Sequence, residues 1–435
     1  MHPTLLTKQL SVTVCLIMII ALLSTFLFNT LLYEQDESEY RARVEELLRE
    51  AIGLIKDARG LSLENVQVEI VTVDWARENW GKFFAEAESE NILREERIYR
   101  ALFMISEDES LYEARVEWWG MIAAAVWQDK IYIVKEYFNP YDRFNAEKTL
   151  VHELTHIMQS KYFNIPYAST FDEDRAKAAL IEGDACLMEE VFANKTIGEI
   201  LVMEMVQKTH GLLSGNSLIN GMRVYASLPD SISRLNYFPY DYGLKFVKAL
   251  YMEGGWQSVN LAYQNPPTTT EQIMHPEKYL FNETDRPVEA LAVADGGWQK
   301  VKSERFGEYF ILVMLEKWLP SAEATSAAEG WGGDNFTYYE RGNDYLLTWS
   351  ITWDSQEDAL EFSESFKAMV KAVGAEEAEN LWKKHGRYLS LTCEGNSTFI
   401  ICSTDKTLVQ KIGGSKSQLQ YAIPSSVHAI KEPFN

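Results

Sequence analysis

The stretch that decides the fold is Asn145-Ala146-Glu147-Lys148-Thr149-Leu150-Val151-His152-Glu153-Leu154-Thr155-His156-Ile157-Met158-Gln159-Ser160-Lys161-Tyr162. It reads as one long helix with Asn145 as its N-cap. At 3.6 residues per turn His152 and His156 lie one turn apart on one face, so their imidazoles can converge on a single cation. Glu153 projects beside them. This is H-E-x-x-H, a spacing that suits Zn²⁺: histidine nitrogens hold the ion, and the neighbouring carboxylate can take a proton from a polarised water. With 7 His in 435 residues, chance would produce the pattern only about 0.01 times in such a chain.

A site of this kind needs a third protein ligand. Residues 172–194 read as another helix, with Asp172 at its start. On it Ala178, Ala179, Glu182, Ala185 and Cys186 form one face of small apolar side chains with a single carboxylate among them. A carboxylate on a packing stripe must be paired, protonated or bound to metal, which makes Glu182 the candidate ligand. Gly183 and Ala185 remove bulk, so close approach of this helix to the histidine helix is expected. Asp184 is a candidate for orienting a ligand histidine. Cys186 reads as a packing residue.

His152-Glu153-x-x-His156 followed by Leu180-Ile181-Glu182-Gly183-Asp184-Ala185 resembles the gluzincin metallopeptidases, the thermolysin and aminopeptidase-N clan. The resemblance implies a zincin-like, mainly helical catalytic domain, with His152, His156 and Glu182 as zinc ligands and Glu153 as general base. It also implies a peptide or protein substrate, paired along the edge of a β-hairpin beside the active-site helix. Residues 121–127 and 130–134, separated by Gln128-Asp129, supply such a hairpin. The clan's oxyanion donor is a Tyr or His. Phe238-Pro239-Tyr240-Asp241-Tyr242-Gly243 is expected to open a helix and makes Tyr240 the candidate, with Tyr242 and His275 as rivals. The connection of 25 residues between His156 and Glu182 is longer than in the clan's aminopeptidases. No G-x-M-E-N segment is present, so endopeptidase activity is expected. A catalytically idle zincin-like binding module and a zinc hydrolase of another amide or ester remain alternatives.

The remaining features set the context. A net charge of −23 argues against nucleic acid as a partner. The apolar run over residues 10–33 is long enough to span a membrane and lacks a small-residue cleavage site. Lys8 before it and Glu34, Asp36, Glu37 and Glu39 after it predict a single-pass anchor with a cytoplasmic tail (1–9) and the body outside. Residues 34–60 read as an amphipathic helix, either a stalk or the first helix of the domain, with Val44, Leu47, Leu48, Ile52 and Ile55 at helical spacing. The expected catalytic domain then covers 61–285, and 286–435 is an α+β accessory domain; the whole chain is therefore α+β. Helices are expected at 74–87, 93–105, 198–213, 240–252, 306–318 and 358–373, and strands at 66–73, 345–353, 387–391 and 399–401. Cys393 and Cys402 flank a turn and either bridge it or stay as two buried thiols. Asn194, Asn282, Asn335 and Asn396 are glycosylation acceptors by pattern. Gly330-Trp331-Gly332-Gly333-Asp334 reads as a turn, either packed or presenting Trp331 to a ligand.

Overall fold

The computed structural model describes residues 37–119, 122–193, 229–291, 293 and 296–413. The first helix, α1, covers 37–59. Its apolar stripe faces inward: Val44, Leu47, Leu48 and Ile55 are buried against Ile131 and Ile133 and against Leu150, Val151 and Leu154. It packs as the first helix of the fold. The strands β1 (Gln67–Val71), β2 (Ala124–Trp127) and β3 (Lys130–Val134) form a small sheet in the order β1-β3-β2. β1 runs parallel to β3, whereas β2 and β3 form the expected hairpin. Gln128 and Asp129 have φ of 51° and 60°, the two positive values that a tight hairpin turn requires.

Between β1 and β2 lie α2 (Val73–Ala76), a π-helical turn (Arg77–Lys82), α3 (Phe83–Ala87), α4 (Ser89–Ala101) and α5 (Leu111–Trp119). The H-E-x-x-H motif sits on α6 (Arg143–Tyr162). Its N-cap is Asp142, which accepts from the Asn145 amide, so Asn145 is inside the helix rather than capping it. Next comes α7 (Phe171–Phe192), capped by Thr170. Asp172 is instead a buried acceptor for Thr270 and Arg305. The expected helix at 198–213 and Asn194 lie outside the described residues.

The helix α8 (Asp230–Ala262) begins ten residues before Tyr240 and carries Pro239 inside it, so Phe238-Pro239 does not open it. It kinks at Gly254 and Gly255, where Gly255 has φ of 62°. The short helices α9 (Thr270–Met274) and α10 (Pro276–Leu280) follow.

The C-terminal part contains β4 (Gln299–Glu304), α11 (Gly307–Glu316), α12 (Ser321–Ala328), β5 (Trp331–Arg341), β6 (Asp344–Trp353) and α13 (Gln356–Ala372). These are followed by β7 (Glu376–Ala378), β8 (Leu381–Lys384), β9 (Arg387–Glu394), β10 (Ser397–Ser403) and α14 (Lys406–Ile412). The seven strands form one antiparallel sheet in the order β4-β5-β6-β10-β9-β8-β7. One aromatic core joins this sheet to the helices before it: Phe306, Phe310, Phe336 and Trp349 cluster with Phe238, Phe246 and Leu180. The core therefore crosses residue 286.

Several expectations are corrected. The fold is α+β, but no described helix is long and apolar enough to cross a membrane. Even the longest, α8, carries Asp230, Arg234, Asp241, Lys245, Lys248 and Glu253. The expected transmembrane helix at 10–33 lies outside the described residues, whose fold is α+β without a membrane-spanning helix. Gly330-Trp331-Gly332-Gly333-Asp334 is no ligand loop: residues from Trp331 on belong to β5, and Trp331 is fully buried with its indole N–H donated to Asp334. The register sets Cys393 opposite Thr398 and Cys402 opposite Leu389, and both thiols are free.

Candidate metal centre

Three helices assemble the site: α6 brings His152, Glu153 and His156, α7 brings Glu182, and α8 brings Tyr240. The crossing of α7 and α8 is unusually close. A Cβ on Gly183 would stand 2.2 Å from the Gly243 carbonyl oxygen, and one on Gly243 would stand 2.2 Å from the Ala179 oxygen. While α7 also packs on α6 as the sequence suggested, with Gln159 Nε2 donating to the Ile181 carbonyl at 2.9 Å, Gly183 therefore admits α8. Tyr240, one turn before Gly243, is carried to the histidines by this contact.

The His152 and His156 rings stand 4.7 Å apart at 84°. Their Nε2 atoms lie 3.2 Å and 3.5 Å from the same carboxylate oxygen, Glu182 Oε2. Bonds of 2.0–2.1 Å to one tetrahedral zinc separate two ligand atoms by about 3.3 Å, so these distances have the size of tetrahedral edges.

The other ring nitrogens decide the tautomers. His152 Nδ1 is 2.7 Å from Glu189 Oε1, and a carboxylate can only accept, so Nδ1 donates. His156 Nδ1 is 2.9 Å from Gln159 Oε1, again an acceptor. In the neutral rings the proton is thus on Nδ1, and both Nε2 lone pairs face Glu182. Glu182 Oε2 is buried and has no hydrogen-bond partner. Three acceptors converging in a buried site form a group that can hold a metal ion.

The electrostatics agree. Burial pushes the Glu182 carboxyl up, but His156 and His152 outweigh it and hold it well below the usual carboxylate range. Burial opposes charge on the imidazoles, yet Cys186, Glu182 and Glu189 raise His152 well above its ordinary value, and Glu182 raises His156. The site favours positive charge, which protons or a divalent ion can supply in competition. Glu153 is buried, and that burial raises its carboxyl; the two histidines oppose the shift while Glu182 and Glu189 reinforce it.

The three candidate oxyanion donors separate in space. The Tyr240 ring lies 6.3 Å from that of His152 at 18°. Burial, reinforced by Glu182, pushes its hydroxyl well above the usual range, so it stays a donor. Tyr242 packs instead against Phe238 and Tyr309, and His275 binds Glu308 through Nε2 at 3.0 Å.

Asp184 touches neither histidine. Arg59, Tyr263 and Gln159 surround it. Glu189 and Gln159 were not singled out from the sequence. Glu189 is seven residues, two turns, beyond Glu182 on the same helix, and Gln159 is three beyond His156, so helical spacing alone could have found both. Arg59 has no such relation to the motif.

Two other groups of potential ligands occur among the described residues. In His152–Cys186–Glu189, the Glu189 carboxylate is taken by His152 Nδ1 and by Lys148 at 2.9 Å. In Glu271–Glu283–Asp354, the Lys278 ammonium already fills the centre, at 2.6, 3.0 and 3.6 Å.

Residues 293–412 match a family described as Domain of unknown function (DUF8575). That range runs from just before β4 to the end of α14 and contains none of the site residues. No curated protein and no solved structure matches the chain.

Proposed function

We propose that the protein is a zinc-dependent metallopeptidase of the gluzincin type, with His152, His156 and Glu182 holding the ion. The observation that carries this is the convergence of two fixed Nε2 lone pairs and the unpartnered, buried Glu182 Oε2 at 3.2 and 3.5 Å.

Bound there, zinc would supply Lewis acidity to a water and to the substrate carbonyl. The Glu153 carboxylate takes the water's proton and passes it to the leaving amine. The Tyr240 hydroxyl donates to the oxygen on which negative charge develops. A peptide substrate is favoured over other amides by β2, an edge strand beside α6 whose free main-chain groups suit an extended chain.

The test uses the full chain, loaded with zinc, against a peptide library. Cleavage by the wild type and loss of cleavage in Glu153→Gln, with zinc retained, are expected. Stoichiometric zinc with no cleavage by either form would overturn the peptidase assignment.

A further inference from the structure

We propose that Arg59, Asp184 and Gln159 are positioning residues that set the tautomer of His156, which makes α1 a part of the metal centre. The proposal rests on the zinc-site assignment above.

The chain of contacts is continuous. Arg59, on the last turn of α1, pairs through Nη1 with Asp184 Oδ1 at 2.5 Å, and neither side chain has any exposed surface. Its Nη2 donates to Asn260 Oδ1 at 2.7 Å, and its guanidinium lies 4.2 Å over the Trp256 ring. The other Asp184 oxygen, Oδ2, accepts from the Tyr263 hydroxyl at 2.8 Å and from Gln159 Nε2 at 3.3 Å. Gln159 Nε2 also donates to the Ile181 carbonyl at 2.9 Å. With its amide nitrogen committed twice, Gln159 can offer only Oε1 to His156.

The consequence is chemical. Were the Gln159 amide turned over, its NH₂ would face His156 Nδ1 and select the opposite tautomer. The proton would then sit on Nε2, pointing at Glu182, and that nitrogen could not ligate an ion. Asp184 prevents this, because its carboxylate accepts from the NH₂ and would repel the amide oxygen. Arg59 neutralises Asp184 and fixes its plane. A buried ion pair contributes little net stability compared with an apolar pair of the same volume, so orientation is what this one adds. His152 is held separately by Glu189, which provides an internal control.

Two variants of the full-length protein test the network: Gln159→Leu, and the charge-neutral pair Arg59→Met with Asp184→Asn. Zinc affinity is read by chelator competition, and imidazole tautomers by ¹⁵N NMR of the metal-free protein, at a pH where the rings are neutral, labelled at its 7 histidines. Both variants should bind zinc ten- to a hundred-fold more weakly, with the Nδ1–H signature lost at His156 and kept at His152. Wild-type affinity in Gln159→Leu, or equal disturbance of both histidines, would overturn the positioning role while leaving the zinc site standing. A wild type that binds no zinc would remove the zinc assignment itself, and this proposal with it.

Discussion

Each histidine of the site has one ring nitrogen committed outward and one facing inward. Glu189 and Gln159 take the Nδ1 protons of the two histidines, leaving Nε2 for the centre. Tyr240 is positioned by ring proximity to His152 at 6.3 Å, which predicts that Tyr240→Phe lowers kcat by about 10²-fold with KM and zinc content little changed. Steady-state kinetics beside metal analysis check this; an unchanged kcat would assign the oxyanion to another donor. The convergence of His152, His156 and Glu182 was legible because a helix converts sequence spacing into a shared face, and Glu182 stood out as a charge on an apolar stripe. Tyr240 could not be separated from Tyr242 and His275 by sequence. That choice depends on which face of α8 meets α7, and Tyr242 and His275 instead serve a second aromatic cluster and Glu308.

At the level of elements, the α7–α8 crossing controls the site. Its backbones touch at Ala179, Gly183 and Gly243, leaving no room for another methyl group. Gly243→Ala should cost about 2–4 kcal/mol and reduce activity further by displacing Tyr240; denaturant titration and activity at matched folded fraction separate the two effects. The N-terminus of α7 has a pH signature. Burial pushes the Glu173 carboxyl up, but Lys177 and the Ser169 hydroxyl and amide outweigh it, bringing it from 4.5 to about 2. Because the folded value is the lower one, this contribution is complete above pH 4.5 and is lost as pH falls through about 2. Glu173→Gln should therefore destabilise by about 1 kcal/mol near neutrality, with the difference from wild type shrinking toward pH 2; a constant difference would contradict the pairing. Most element positions followed from periodicity. The start of α8 did not, because Pro239 reads locally as an opener while tertiary packing of Ile232, Leu235 and Phe238 extends the helix before it. β5 was missed because its opening Trp-Gly-Gly, preceded by Gly330, resembles a turn, whereas Gly333 in fact lies against the backbone of Arg286.

Over the whole molecule, the helices of the candidate site and the seven-stranded sheet share a core. Arg305, just after β4, pairs with the fully buried Asp172 in the first turn of α7 at 2.9 Å and with Asp285 at 2.7 Å. Removing it by Arg305→Met would strand a buried carboxylate and should cost about 3–5 kcal/mol. Thermal unfolding should accordingly be a single transition that moves as a whole in this variant, and two separate transitions would show that the halves fold independently. The sequence suggested a boundary near residue 286 from its prolines and polar residues, but it could not reveal that Phe306 and Phe310 pack back onto α7 and α8. The most direct measurement is the metal content of the full-length chain and of Glu182→Ala. The assignment of His152, His156 and Glu182 predicts one zinc per wild-type chain and its loss in the variant. A wild type without zinc, or a variant that retains it with equal affinity, would contradict the assignment.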